Sequence, residues 1–110
     1  MLKVLPDNTI KLTRGDTAAL TVQILDDVAS EDYIMSSSDT LKFSVKKSVK
    51  DSEYTFQKVS VGLNKFVIEP ADTKDMKFGK YIYDVQLETS SGGVSTIIEP
   101  STFEILSEVT

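Results

Sequence analysis

The side chains of this chain that can do chemistry are carboxylates, hydroxyls, amines and a single guanidinium, because the sequence has no cysteine, histidine or tryptophan. A thiol nucleophile, a disulfide framework and a zinc site of Cys/His ligands are therefore excluded. A Ser-His-Asp triad and an imidazole general base are excluded as well. We expect a protein of 110 residues that is not an enzyme and carries no cofactor and no metal.

The densest group of carboxylates lies in one polar, irregular stretch, and its members are Asp26, Asp27, Glu31, Asp32 and Asp39. A calcium ion takes about six to eight oxygen ligands. The spacing here matches no EF-hand and has no central glycine, so we predict a long solvated loop from Asp26 to Asp39, with cation binding left open. Within it, Tyr33, Ile34 and Met35 form either an exposed partner contact or a cover over one end of the fold.

Asp84 is a further carboxylate of interest, because it interrupts an otherwise apolar strand pattern. Pairs of acids cleave glycosides, but the sequence names no second acid for such a pair. The period of two places Asp84 on an outer face with Gln86 and Glu88. We interpret it as a wetted strand position or as the partner of a lysine or arginine.

The tripeptide Arg14-Gly15-Asp16 matches the sequence of an integrin-binding motif. It lies between two strand patterns, where Gly15 can supply a turn and Asp16 can accept backbone N–H bonds. Arg14 is the only arginine of the chain, and we expect it to pair with a carboxylate, Asp16 or Asp84. We therefore interpret the triplet as structural.

Apolar and polar residues alternate with a period of two along most of the chain, which is the pattern of strands with one buried face. Turn residues separate the runs: Gly62-Leu63-Asn64 and Ser90 to Gly93 look like hairpin links, while Pro70 and Pro100 are expected to end strands. Only Ala71 to Phe78 is expected to form a helical turn, capped near Asp72 or Thr73. These runs and turns predict an all-β sandwich of about seven strands in one domain, residues 1–110, with a closed barrel as the less favoured alternative. The segment around Tyr81 makes the predicted fold class an immunoglobulin-like Greek-key sandwich.

The segment from Asp72 to Val85 carries the sharpest structural signal. Gly79, two residues before Tyr81, follows the tyrosine-corner arrangement of Greek-key sandwiches, in which the tyrosine hydroxyl binds the backbone just upstream. Tyr83 would take the inward position that a disulfide cysteine holds in antibody domains. A hairpin whose tyrosines merely fill the core is the alternative.

With this corner in place, the chain resembles small structural proteins encoded among the tail and baseplate genes of bacteriophages and prophages of Gram-positive bacteria. It also resembles the immunoglobulin-like N-terminal domain of the baseplate upper protein family. The likeness rests on four segments taken as a set, namely Ile10 to Ile24, Asp39 to Asp51, Ala71 to Thr89 and Gly92 to Thr110. The resemblance implies a non-catalytic structural or assembly module that binds other tail or baseplate proteins or copies of itself. A receptor- or carbohydrate-binding module at the tail tip is the alternative.

Charge and hydropathy bear on partners and location. The net charge of -5 gives no general attraction to phosphates, so nucleic acid is not an expected partner. No window approaches the roughly 18 apolar residues of a membrane span, and the N-terminus shows no signal peptide. The expected location is the virion tail or baseplate, or the host cytoplasm during assembly.

Overall fold

Strands make up most of the computed structural model, which describes residues 2–4, 6–26 and 31–107. The elements in chain order are β1 (Leu2–Val4), β2 (Ile10–Thr13), β3 (Ala18–Thr21), β4 (Leu25–Asp26), β5 (Glu31–Asp32), β6 (Thr40–Lys46), β7 (Phe56–Val61), β8 (Lys65–Ile68), α1 (Pro70–Thr73), β9 (Gly79–Glu88) and β10 (Val94–Leu106). Within the described residues, α1 is the only helix, and it is too short to cross a membrane.

The largest sheet has six strands in the order β1-β2-β10-β9-β6-β7. Its neighbours are antiparallel except β2 and β10, which run parallel. A second sheet pairs β3 with β8, and a third pairs β4 with β5. The strand β7 therefore lies at one edge of the large sheet, with β6 as its described neighbour.

The six-stranded sheet and the β3–β8 sheet share one core. Phe43 of β6 lies 5.6 Å from Phe66 of β8 between ring centroids, and on its own sheet it stacks against Tyr83 at 5.2 Å. Buried and half-exposed residues alternate without interruption along β6 and most of β9, and full burial of one such apolar side chain contributes about 1.5–3 kcal/mol. The all-β class predicted from the sequence is confirmed, and the arrangement is consistent with a β-sandwich.

The link Gly62-Leu63-Asn64 is not the hairpin that its composition suggested. The strand before it, β7, pairs with β6, whereas the strand after it, β8, pairs with β3 in the other sheet. The chain crosses between sheets here at Gly62, whose φ is +75°. A Cβ at Gly62 would lie 3.3 Å from the Cα of Ser37, a tight contact, and the positive φ at this crossing favours glycine.

Pro100 does not end a strand as predicted, because β10 continues through it to Leu106. The pairing of β10 with β9 shifts register between Thr96 and Ile98 and again between Ile98 and Ser101. A bulge leaves an unpaired position that proline tolerates, since proline has no N–H to donate to the ladder. The hairpin predicted at Ser90 to Gly93 is present, with the N–H of Thr89 donating to the carbonyl of Gly93.

Two other segments differ from their predictions. The helix is shorter than Ala71 to Phe78 and begins one residue earlier than expected, with Pro70 as its first residue and Glu69 as N-cap. Asp72 lies inside the helix, where its carboxylate accepts the N–H of Glu69 at 2.7 Å. The stretch from Asp26 to Asp39 is not loop throughout, because its first part belongs to the β4–β5 pair.

Candidate functional site

The tyrosine corner is present in the structure. Tyr81 is 7% exposed, and its hydroxyl donates to the carbonyl of Lys77 at 2.8 Å. Gly79 begins β9 with a φ of +131°, a conformation that turns the chain between that carbonyl and the strand. The hydrogen bond holds the start of β9 against the segment that follows α1.

Tyr83 lies in the centre of the core, on the inward face where the sequence placed it. It is almost completely buried, and its hydroxyl donates to the carbonyl of Asn8 at 2.5 Å. Burial raises the pKa of Tyr83 to about 12. The hydroxyl is thus a neutral donor that fixes the segment before β2 to the core, and it is not available as an acid or base near neutral pH.

The Arg14-Gly15-Asp16 triplet forms a turn that is docked on the region of α1. Gly15 has a φ of +85°, and its N–H donates to Oγ1 of Thr73 at 2.9 Å. The Arg14 guanidinium lies 4.2 Å above the ring of Phe78 and donates to the carbonyl of Met76 at 3.3 Å. Asp16 closes the turn, since its N–H donates to the carbonyl of Thr13. Arg14 therefore has a structural role, as a cation stacked on the Phe78 ring.

Asp39 is a buried carboxylate with a structural role. Its Oδ2 accepts the hydroxyl of Tyr33 at 2.5 Å and the N–H of Ser36 at 3.0 Å, and its Oδ1 accepts the N–H of Ser90 at 3.3 Å. These bonds, above all that from Tyr33, lower the pKa of the Asp39 carboxyl. Both oxygens are engaged within the chain. Of the other carboxylates in this stretch, Asp27 lies outside the described residues.

The proposed contact at Tyr33, Ile34 and Met35 divides in the structure. Tyr33 and Met35 are half-buried and pack against the core. Ile34 is 87% exposed. Tyr33 and Met35 therefore match the interpretation of the segment as a cover over the fold. Ile34 alone matches its interpretation as an exposed contact.

A polar groove of about 360 Å³ crosses the outer face of the large sheet. We call it the outer groove. Its floor comes from the outward side chains of β6 and β9, and Tyr54, 52% exposed, stands at its side. The Nζ of Lys46 lies 5.0 Å from the centroid of the Tyr54 ring. The lining residues that can form hydrogen bonds include Ser44, Lys46, Gln57, Asp84, Gln86 and Glu88.

The charges in the outer groove are partly paired. Lys42 and Glu88 form an ion pair of 2.8 Å. Partial burial raises the pKa of Asp84, and the nearby Lys46 acts in the opposite direction. Asp84 lies on the outer face as predicted, and its charged neighbour is Lys46, on the adjacent strand β6. The arrangement offers donors, acceptors and one aromatic face, which suits a polyol or a peptide better than a simple ion.

Sequence reasoning missed the part of this groove that comes from the loop between β6 and β7. The alternation of Lys42, Ser44 and Lys46 with apolar residues already indicated a polar outer face. Nothing in the sequence showed that Val49 and Tyr54 of the following loop return to that face. The loop is irregular, and its path depends on contacts that only the folded sheet provides.

The edge of β7 carries exposed apolar side chains. Val59 is 54% exposed and Val61 61% exposed. Both point to the outer side of the sheet, since they pair with Lys42 and Thr40 of β6. Soluble proteins commonly protect such edges with charges or proline, and β7 has neither on this face. The edge is therefore a second candidate site, suited to contact with another protein chain.

No protein-family model matches the chain, and no curated protein matches it at a significant level.

Proposed function

We propose that this chain is a non-catalytic assembly module that acts through protein–protein contacts at the β7 edge. The observation that carries the proposal is that edge itself, a strand with one described neighbour and with exposed Val59 and Val61. An edge strand offers backbone N–H and C=O groups that a partner strand can pair with. The exposed valines add apolar area that a partner would remove from water.

We further propose that the setting is the tail or baseplate of a bacteriophage or prophage, within the virion or in the host cytoplasm during assembly. The support is the resemblance of the four segments named above. The resemblance also implies an immunoglobulin-like fold, and the strand order is compatible with that fold, because β3 pairs with β8 in one sheet while β6, β9 and β10 lie together in the other. This is the division of strands expected of an immunoglobulin-like Greek key. The partners would be other tail or baseplate proteins, or copies of the chain.

The test is incorporation into particles. A host carrying the phage genes with Val59→Lys and Val61→Lys should yield particles that lack the protein or fail to assemble, because lysines on an edge oppose strand addition. Val67→Lys is the matched control, since Val67 is an exposed valine on β8 of the other sheet. Mass spectrometry of purified particles measures the outcome. Equal incorporation of both variants would contradict the docking role of β7, and absence of the wild-type protein from complete particles, with assembly unaffected by its deletion, would contradict the setting.

The outer groove favours a second candidate function, a receptor- or carbohydrate-binding module at the tail tip. An aromatic ring beside hydrogen-bonding side chains is a common way to hold a sugar, whose apolar face contacts the ring. Titration of the labelled protein with fragments of host cell-wall polysaccharide, followed by NMR, tests this function. Shifts confined to the groove and lost in Tyr54→Ala would support it, and unchanged spectra at millimolar fragment would count against it.

A further inference from the structure

We propose that β7 binds β7 of a second copy of this chain, as an antiparallel pair with its two-fold axis at Val59. The inference rests on the proposed function and names one partner for the same edge. It follows from three features of β7, which are the direction of its backbone groups, the side chains on its outer face and the position of its charged residue.

The backbone direction comes from the pairing with β6. The N–H of Gly62 donates to the carbonyl of Asp39, and the register pairs Ser60 with Leu41 and Lys58 with Phe43. In an antiparallel ladder, hydrogen-bonded pairs alternate along the strand. The backbone groups of Ser60 and Lys58 therefore point to β6. Those of the residues between and beside them, Gln57, Val59 and Val61, point to the free side.

These three free residues fix the register. With the two-fold axis at Val59, each Val59 faces Val59 of the partner subunit, and each Gln57 faces Val61 of the partner subunit. All three residues then exchange backbone bonds, which gives about six hydrogen bonds in total. An axis at Ser60 would need Leu63 as a bonding residue, but Leu63 lies beyond Gly62, whose φ of +75° takes the chain towards the other sheet.

The side chains agree with this register. Facing residues of an antiparallel pair lie on the same face, so the outward valines of the two copies meet on the outer side of the joined sheet. Lys58 points away from that side and forms an ion pair of 2.7 Å with Asp72. In the proposed register Lys58 faces Ser60 of the partner subunit, so the two lysines are not directly opposed.

The strength of the pair follows from its size and charge. A contact between two short edge strands buries less than the roughly 1,200 Å² of a standard stable interface, so we expect a weak, concentration-dependent dimer. Two copies with a net charge of -5 each repel one another, while the outward side chains of the edge are neutral. Added salt should therefore strengthen the association, because it screens the repulsion. Many copies held in one particle would raise the effective concentration.

Cysteine trapping tests the register in a chain that has no cysteine of its own. Two Cα atoms in a hydrogen-bonded antiparallel pair lie about 5.5 Å apart, within the range that a disulfide spans. With oxidised glutathione accepting the two electrons and two protons, Val59→Cys should give a disulfide-linked dimer at least about tenfold faster than Val67→Cys, as followed on non-reducing gels. Val67 is 43% exposed and lies on β8, which likewise has one described neighbour, so it reports crosslinking that is not specific to β7.

A mixing experiment separates the two possible axes. Gln57→Cys and Val61→Cys should each crosslink slowly alone and rapidly when mixed, giving the heterodimer; an axis at Ser60 would instead crosslink a mixture of Val59→Cys and Val61→Cys. Circular dichroism of every variant confirms that it is folded. Equal rates for Val59→Cys and Val67→Cys would overturn self-pairing. If particle incorporation still depended on Val59 and Val61 in that case, the assembly role would stand with a different protein as partner.

Discussion

Removal of one hydroxyl group tests whether the tyrosine corner holds the fold. Tyr81→Phe keeps the buried ring and deletes only the donor of the 2.8 Å bond to the carbonyl of Lys77. A typical intramolecular hydrogen bond contributes about 0.5–1.5 kcal/mol net, and a buried acceptor left without a donor costs about 1–3 kcal/mol. Lys77 is exposed, so water can reach part of its carbonyl. We expect a loss of about 1–1.5 kcal/mol in the free energy of unfolding.

Urea unfolding followed by far-ultraviolet circular dichroism measures this loss, since the chain has no tryptophan to serve as a fluorescent probe. The midpoint should fall while the slope with urea stays unchanged, because the surface exposed on unfolding is the same. In thermal unfolding, each 1 kcal/mol corresponds to a decrease in Tm of about 4–8 °C for a domain near this size.

Tyr54→Phe is the matched control, because Tyr54 is 52% exposed and loses the same hydroxyl. Surface substitutions of this kind change stability by about 0.5 kcal/mol or less. If Tyr81→Phe were as neutral as Tyr54→Phe, Tyr81 would stabilise the fold through its ring alone. The corner would then be a packing feature, and the hydrogen bond to Lys77 would not support a Greek-key fold.

Three further predictions concern charge, conformation and the free edge. Because the folded-state pKa of Asp39 is lowered, its contribution is complete well above the ordinary value of 3.8 and is lost as pH falls through the lower folded pKa. Urea midpoints should therefore decrease between about pH 5 and pH 2.5, and less so in Asp39→Asn. Gly62→Ala should destabilise more than Gly92→Ala, because both have positive φ but only Gly62 approaches another backbone segment; equal midpoints would contradict the close approach. Val59→Pro should leave the hydrogen bonds between β7 and β6 intact, whereas Ser60→Pro should remove one of them and lower Tm further; a reversed order in thermal unfolding would show that the backbone directions are assigned wrongly.

The fold class could be predicted from the sequence because the alternation with a period of two is present in the structure. Outward and inward residues alternate along β6 and along most of β9 as the pattern indicated. Tyr81 could be placed as well, since the glycine two residues before it is a local signal, and a local signal needs no knowledge of the other sheet. Local patterns of this kind determine strands, faces and turns.

Pairing between distant strands was not readable in the same way. Glycine and asparagine in the Gly62-Leu63-Asn64 link are compatible with a hairpin and equally with a crossing between sheets. The choice depends on whether β8 gains more by pairing with β7 or by packing Phe66 against Phe43 from the opposite sheet. The prediction that Pro100 ends a strand was wrong for a related reason, because a bulge in β10 is defined only by the register of β10 with β9. Both errors concern non-local contacts.

The two candidate sites meet at β7 without excluding each other. Gln57 belongs to both, since its side-chain amide donates to the hydroxyl of Ser44 in the outer groove at 2.8 Å and its backbone lies at the free edge. Strand addition takes place in the plane of the sheet, whereas a ligand in the groove lies above that plane. A second copy at the edge would thus lengthen the face that carries the groove and leave its floor in place. For this reason Tyr54→Ala and Val59→Lys test the two functions separately, because Tyr54 lines the groove and Val59 lies outside its lining.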